Sequence, residues 1–378
     1  MSSLRANLFL VALGLSLLGL VMVYSAVGTS ILFVRIGHMV LGVAAFFVTS
    51  RVRYTAWRKY APALYLVVLV GLVLVLIPGI GSQINGARRW LDLGPMSIQP
   101  AEFAKLAAVL VLGCAVARLP RGSKLPVKPL LTVGVLFALV LVEPDFGTSV
   151  VLLVGAAGTL WASEIRTRDL VLSGLVGSVA VAGMMVLEPY RRERFLTFLD
   201  PWAAADGSGY QTVQSMVAIK AGGFFGSGAG SGGDGPYVPE LGTDMIFALI
   251  GEELGLVGMV AVIAAFGFIA LAGLRIALNA PSVMARCVAA GLTTMLTIQA
   301  VFNMGAAMVV LPLAGMTLPF VSYGGSSLLV CFAAVGILYR ISEDSERARE
   351  IKPRKRTANP DSRRRHGGTR YPRSVRGG

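Results

Sequence analysis

Residues 238–255, VPELGTDMIFALIGEELG, run Glu240, Asp244 and the Glu252-Glu253 pair into an otherwise apolar stretch. A carboxylate at the edge of a bilayer is costly to keep, so its presence there points to a functional demand. The connection leading into this stretch is long and Gly-rich and carries aromatic and basic residues. Together these features predict a cavity where a large anionic substrate meets a fixed carboxylate, an enzyme site within a membrane protein.

The rest of the chain agrees with that placement. Of 378 residues, 55% are hydrophobic and 14% charged, against about 25% charged in soluble domains. Apolar runs long enough to cross a hydrocarbon core of about 30 Å recur near 7–27, 31–49, 61–79, 103–118, 127–142, 147–162, 169–187, 246–274, 284–311 and 327–341. The predicted fold is therefore all-α and polytopic, with ten transmembrane helices in residues 1–341 and a large extracytoplasmic loop, 188–245, between the seventh and eighth. Only Arg5 precedes the first run and no small-residue cleavage site follows it, so it reads as a retained helix rather than a signal peptide.

Basic residues give the orientation. Alternate connections carry Arg51, Arg53, Arg58 and Lys59, then Arg118, Arg121, Lys124 and Lys128, then Arg166 and Arg168, then Arg275 and Arg286, and finally the Arg-rich tail. The positive-inside rule assigns that side, and both termini, to the cytoplasm. Arg88 and Arg89, and the trio Arg191, Arg192 and Arg194, fall on the opposite side and ask for a local explanation.

The 188–245 loop exceeds what an idle connection needs. It opens with EPYRRERFLTFLDPW, a basic and aromatic stretch suited to the interface. In GSGYQTVQSMVAIKAGGFFG, Val213, Met216, Val217 and Phe224 recur at roughly helical spacing, which predicts a short interfacial or re-entrant helix. The following GSGAGSGGDG reads as a flexible turn; no strand precedes it and no Lys-Ser/Thr follows, which argues against a nucleotide loop.

Residues 342–378 contain SERAREIKPRKR and SRRRHGGTRYPRSVRGG. They account for much of the net charge of +14 and read as a disordered cytoplasmic tail drawn to anionic lipid rather than to nucleic acid. Cys114, Cys287 and Cys331 lie inside spans without CxxC spacing, as small packing residues do. With His38 and His366 the sole histidines, no zinc site is expected. Arg35 and His38, three apart in the second span, read as a satisfied pair facing the bundle. No internal repeat is evident, which disfavours an inverted-repeat transporter.

Five ordered motifs, INGARRWLDLGPMSIQPAEFAKL (84–106), EPDFGT (143–148), FLDPW with GSGYQTVQS (198–215), GTDMIFALIGEELG (242–255) and NMGAAMVVLPLAGMTLPFVSYGGSS (303–327), resemble the successive signatures of the SEDS family of shape, elongation, division and sporulation proteins. TLPFVSYGGSS and RRERFLTFLDPW are more similar to its division members than to its elongation members.

The resemblance implies a peptidoglycan glycosyltransferase that polymerises lipid II into glycan strands at the outer face of the bacterial cytoplasmic membrane, at the division septum. It implies lipid II, the growing strand, a class B penicillin-binding protein and other division membrane proteins as partners, without nucleic acid. The family's essential acid falls on Asp244, while Gly242 stands where the family usually has His and Met245 where it usually has Phe. A divalent cation, Mg2+ or Mn2+, held by diphosphate and Asp244 is compatible with the family.

The chemistry of the residues points the same way. Glycosyl transfer from a polyprenyl diphosphate needs a base near the acceptor hydroxyl, met by Asp244, and positive charge near the leaving group. Arg88, Arg89, Lys105, Arg192 and Arg194 are the candidates for that charge, with Gln99, Glu102, Asp145, Gln211, Ser322 and Tyr323 completing the expected substrate-binding set. Each has a structural alternative. Asp244 and Asp145 are placed to cap helices, Glu102 and Lys105 to pair along one, Glu252 and Glu253 to partner a buried Arg or Lys, and SYGGSS to permit close packing. A lipid II flippase, with acids lining a path through the bilayer, and a non-catalytic scaffold are the rival functions.

Overall fold

The structure, a computed structural model, describes residues 2–84, 87–92, 94, 97–187, 189–230 and 242–357. Glu240, the rest of 231–241 and the tail beyond 357 lie outside the described residues. The ten expected spans appear as helices: α1 (Ser2–Val27), α2 (Thr29–Arg51), α3 (Trp57–Leu76), α4 (Pro100–Val116), α5 (Val127–Val142), α6 (Phe146–Trp161), α7 (Thr167–Leu187), then α10 (Ile246–Leu278), α11 (Val283–Ala307) and α12 (Gly325–Thr357). Six of these, α1, α2, α3, α10, α11 and α12, are long and apolar enough to cross a membrane, and α5 and α6 are shorter apolar helices.

The core forms where α11 packs against α6, α10 and α4, and where α12 lies along α2. Leu292, Leu296, Phe332, Leu338 and Ile341 are fully buried there. The outer helices turn their apolar residues outward; Val171, Leu175, Val176 and Val179 of α7 are exposed, as lipid contact requires.

Two connections carry structure the apolar pattern does not announce. Between α3 and α4, β1 (Gly81–Ile84), β2 (Ala87–Asp92) and β3 (Ser97–Ile98) form an antiparallel sheet, with a bulge between Ser82 and Gln83. The long loop contains α8 (Pro189–Leu199) and α9 (Tyr210–Gly222). The expected helix is present as α9; of the expected stripe Val213 is buried and Met216 half-buried, while Val217 and Phe224 are exposed, and Thr212, Ser215, Ala218 and Gly222 are buried beside Val213. Small side chains let α9 approach α10 closely, and Ser215 Oγ donates to the Ala307 carbonyl at 2.6 Å.

The α10 span is broken. Gly255 has φ 64°, ψ −162°, a region that only glycine occupies readily. A break inside an apolar bundle orphans backbone groups on both sides, and these must be satisfied by protein. The glycine-rich segment does this. Leu256 N–H donates to the Gly223 carbonyl at 3.0 Å and Val257 N–H to that of Phe224 at 3.3 Å, while the amides of Ser227 and Gly228 donate to the carbonyls of Glu252 and Glu253, each at 3.0 Å. The segment expected as a flexible turn is therefore docked, through Gly230, on the break. Glu253 accepts from Ser25 and from the Gly230 amide, and so ties the loop to the end of α1.

The tail expectation also changes. α12 continues to Thr357, because Glu343 and Asp344 pair with Arg340, Glu343 pairs with Arg347, and Arg5 reaches Glu346. At the same end Glu164 joins Arg121 and Arg286, linking two connections to the first turn of α11.

The EPDFGT turn between α5 and α6 shapes the other end. Asp145 caps α6, accepting from Thr148 N–H at 3.0 Å, and also accepts from Gln99 Nε2 at 2.9 Å. Arg89 donates to the carbonyls of Glu143 at 3.1 Å and Pro144 at 2.7 Å. The Glu143 side chain is buried, and neither carboxyl oxygen has a hydrogen-bond partner. Burial, reinforced by the Asp145 carboxylate and opposed by Arg89, pushes Glu143 up to about 9.

Two outcomes follow. Gly255→Ala would place a methyl carbon within 2.7 Å of the Phe224 backbone and force a backbone geometry that costs about 1–3 kcal/mol. Thermal unfolding in detergent should show a clear loss, whereas Gly267→Ala, where nothing lies within 4 Å, should not. Glu143 holds its proton in the folded chain up to about 9 but loses it near the ordinary carboxylate value when unfolded. Its contribution to stability is complete below that ordinary value and is lost as the pH rises through about 9. Melting temperature measured across that window should fall with pH in the native chain, and fall less in Glu143→Gln, which has no proton to lose.

Candidate active site

At the end of the bundle that carries the EPDFGT turn, a cavity of about 1200 Å³ opens between β2, α4, the α5–α6 turn, α8, α9 and the segment joining α11 to α12. Asp244 faces it half-buried, one residue before the Met245 N-cap of α10. The aspartate is not itself the N-cap, so helix capping does not account for it.

Its backbone is held from two elements. Asn303 Nδ2 on α11 donates to the Asp244 carbonyl at 2.9 Å and to that of Met316 at 2.6 Å. From the turn before α12, Ser322 Oγ donates to the Thr243 carbonyl at 2.6 Å and Tyr323 N–H to that of Gly242 at 2.7 Å. Opposite Asp244, Gly315 has φ 66°, and a Cβ there would stand 3.7 Å from both Asp244 Oδ2 and Arg194 Nη1. The carboxylate and a guanidinium thus flank a bare stretch of backbone, and Arg194 also reaches the Leu313 carbonyl at 3.4 Å.

A second polar group lies deeper. Lys105 Nζ sits 2.8 Å from Glu102 and donates to Gln299 Oε1 at 2.8 Å. Gln299 Nε2 continues to the Thr317 carbonyl at 3.0 Å, and Thr317 Oγ1 to Ser327 at 3.0 Å. The Lys105 charge is therefore matched by a buried carboxylate, so this wall offers oriented dipoles rather than an unbalanced cation.

Nine of the twelve expected residues line the cavity: Asp244, Arg89, Gln99, Glu102, Lys105, Asp145, Arg194, Gln211 and Tyr323. Three do not. Arg88 alternates with Arg89 along β2 and takes the other face. Arg192 is exposed on α8, two residues before the inward Arg194. Ser322 is buried beneath the cavity, where its hydroxyl braces Thr243 and accepts from Leu318 N–H at 2.7 Å. Arg89 lines the cavity but spends Nε and Nη2 on the EPDFGT turn, which makes it a brace as well as a wall.

Sequence reasoning missed Gln299, Asn303 and Thr317. Gln299 and Asn303 are four apart in an otherwise apolar helix, so both project to one face. That pairing of amides inside a span is the signal that could have found them. Among the described residues no group of three or more His, Cys, Asp or Glu side chains could hold a metal ion.

Known proteins are similar to this chain over most of its length. The family described as "Cell cycle protein", comprising FtsW, RodA and SpoVE, matches residues 5–347. Stage V sporulation protein E of Bacillus subtilis is 36% identical over 353 residues, covering 89% of this chain and 96% of that protein. The probable peptidoglycan glycosyltransferase FtsW of Coxiella burnetii is 38% identical over 318 residues, covering 82% and 85%. Among solved structures, a chain from a peptidoglycan synthase complex that coordinates polymerization and crosslinking superposes with a TM-score of 0.76 at 30% identity, over 90% of this chain and 97% of that one. The rod shape determining protein RodA of Thermus thermophilus gives 0.68 at 28% identity, over 90% and 96%. With its sequence matched from residue 5 to 347 and its helices superposed over nine-tenths of their length, the chain belongs to the FtsW, RodA and SpoVE family of membrane-embedded cell cycle proteins.

Proposed function

We propose that this chain is a peptidoglycan glycosyltransferase that polymerises lipid II into glycan strands for septal wall synthesis, with Asp244 as general base. The observation that carries the reading is the meeting of the Asp244 carboxylate and the Arg194 guanidinium at Gly315, inside a cavity large enough for a glycan and its diphosphate. Asp244 takes the proton of an acceptor sugar hydroxyl, and the freed oxygen bonds to the anomeric carbon of the donor. The bond from that carbon to the diphosphate breaks, and polyprenyl diphosphate leaves with the electron pair. Because diphosphate departs without a proton, no second carboxylate acid is needed; Glu102 is accordingly committed to Lys105.

The leaving charge meets Arg194 first, and the Lys105–Gln299 dipoles more weakly. A Mg2+ or Mn2+ ion would find one carboxylate, Asp244, with the remaining places left to diphosphate oxygens and water, as Mg2+ tolerates. It would supply further charge neutralisation at the diphosphate.

Supporting the assignment of this end to the cell exterior, Arg51, Arg121, Arg286 and the charged end of α12 all lie toward the opposite end. Both termini are then cytoplasmic, and a class B penicillin-binding protein meets the product outside. The FtsW names of several relatives support septal placement. A flippase would need its acids strung through the bilayer, and Asp244, Glu102 and Asp145 instead line one cavity at one end.

Purified chain with its partner, supplied with lipid II, tests the reading directly. Native protein should make glycan strands, and Asp244→Asn, which keeps the size but not the proton acceptor, should abolish them without altering detergent stability. Near-normal strand synthesis by that variant would remove Asp244 as base. Arg194→Gln should raise the lipid II requirement at least about tenfold, with Arg194→Lys recovering part of the loss because it lacks the bidentate fork. Arg192→Gln, outside the cavity, should leave lipid II use unchanged; equal damage from both variants would count against a diphosphate site at Arg194.

A further inference from the structure

Arg35 on α2 is among the largest fully buried side chains of the protein, and it does not line the cavity, although Val34 and His38 on either side do. A guanidinium in that position is expensive unless its hydrogen bonds are specific. Arg35 Nη2 donates to two successive carbonyls, Phe320 at 2.6 Å and Val321 at 3.0 Å. Phe320 has φ 66°, in the left-handed region, with its ring buried edge-on to Phe332 at 5.4 Å. A bulky residue keeps such a conformation only when its surroundings impose it. Here the two carbonyls are imposed on by one cation.

The next two residues of this turn hold the strand of backbone that carries the base. Ser322 Oγ donates to the Thr243 carbonyl and Tyr323 N–H to that of Gly242. On the same face of α2, the His38 ring stands 5.8 Å from the Tyr323 ring. The chain of contacts therefore runs from Arg35 to the carbonyls of Phe320 and Val321, through Ser322 and Tyr323, to the backbone beside Asp244.

We infer that Arg35 is a positioning residue for the Asp244 base, acting through the 318–323 turn and never touching substrate. The inference rests on the glycosyltransferase reading for its kinetic consequence but not for its structural one. Both bonds come from one nitrogen, Nη2, whose two hydrogens serve one carbonyl each, while Nε and Nη1 are buried without a hydrogen-bond partner among the described residues. The grip on the turn is therefore exerted at the tip of the side chain, and the shorter, more strongly hydrated ammonium of a Lys would hold it less firmly. Loss of the grip would let the turn relax from its left-handed residue and carry Thr243 and Asp244 away from the acceptor hydroxyl. Displacement of a catalytic group by about 1 Å costs about 100-fold in rate.

The experiment compares native chain with Arg35→Met, Arg35→Lys and Ser322→Ala, each purified with its partner transpeptidase. It measures kcat and KM for lipid II, and amide hydrogen exchange by mass spectrometry. Arg35→Met and Ser322→Ala should each lower kcat by about 10- to 100-fold with KM changed by less than about twofold, the signature of an interaction felt at the chemical step. Arg35→Lys should fall between. Exchange should quicken in 318–325 and 242–246 in the Met and Ala variants and stay as it is on α4, α6 and α11. If Arg35→Met does not accumulate, Arg35→Lys and Ser322→Ala decide, because one keeps the charge and the other leaves Arg35 intact.

Native kcat in Ser322→Ala with quickened exchange would overturn the relay. A raised KM at unchanged kcat in Arg35→Lys would show that the cation serves substrate binding instead. Faster exchange throughout the bundle with native turnover per folded molecule would reduce Arg35 to a packing residue. Should the native chain make no strands, the glycosyltransferase reading fails by itself, and exchange at 242–246 still confirms or overturns the brace.

Discussion

A bundle of apolar helices can expose a carboxylate to a substrate only if every backbone group displaced to place it finds a partner within the protein. Lipid supplies none. That constraint organises the site end of this chain. Asp244 precedes α10 rather than lying within it, so its own carbonyl and those of Gly242 and Thr243 draw donors from other elements. Asn303, Tyr323 and Ser322 provide them. Further along, α10 breaks at Gly255, and the glycine-rich segment supplies the missing partners on both sides. The glycines of this loop thus serve a close backbone approach. A side chain at Gly222 or Gly226 would collide with the α10 backbone around Gly251 to Glu253.

How far the sequence revealed this depends on which physical signal each part emits. Spans are legible because a continuous apolar run has one reading in a chain of this composition, and all ten coincide with helices. The break in α10 emits no such signal. Leu254, Leu256 and Val257 are as apolar on either side of Gly255 as in an unbroken helix, and only the tertiary partners reveal the break. The β1–β3 sheet is short and half-buried, so its alternation is drowned by the glycines and by Pro95. In α9 the periodicity announced the helix but not the whole of its packed face, because a closely approached helix also packs through its small residues. α12 outran its expected end because basic composition alone does not distinguish a disordered tail from a helix laced by Arg340, Glu343 and Arg347.

The site was legible in kind more than in geometry. Charged and polar residues in or beside membrane segments are conspicuous, which makes Asp244, Glu102, Lys105 and Gln99 accessible from sequence, with the role of Asp244 implied by the family resemblance. Which arginine of a basic run faces inward was not, because Arg192 and Arg194 differ by two positions on a helix of eleven residues and the direction of that helix is set by its neighbours. Ser322 looked like a substrate residue beside Tyr323 for the same reason: adjacent residues in a turn diverge, one into the cavity and one toward the backbone beneath it.

These assignments bear on how the charges divide the work. Lys105 is neutralised by Glu102 at 2.8 Å, and Arg89 is bound to the carbonyls of the EPDFGT turn. Both are therefore pre-organised, held before substrate arrives, and cost nothing to reorient when charge develops. Arg194, on the long loop and 3.4 Å from the Leu313 carbonyl, is the cation whose position depends most on the loop's own docking. The glycine-rich end of that loop, beyond α9, is fastened to the α10 break at Glu252 and Glu253. The Glu252-Glu253 pair owes its place to that fastening: the two backbone carbonyls accept from Ser227 and Gly228, and the Glu253 carboxylate accepts from Gly230 and from Ser25 at the end of α1.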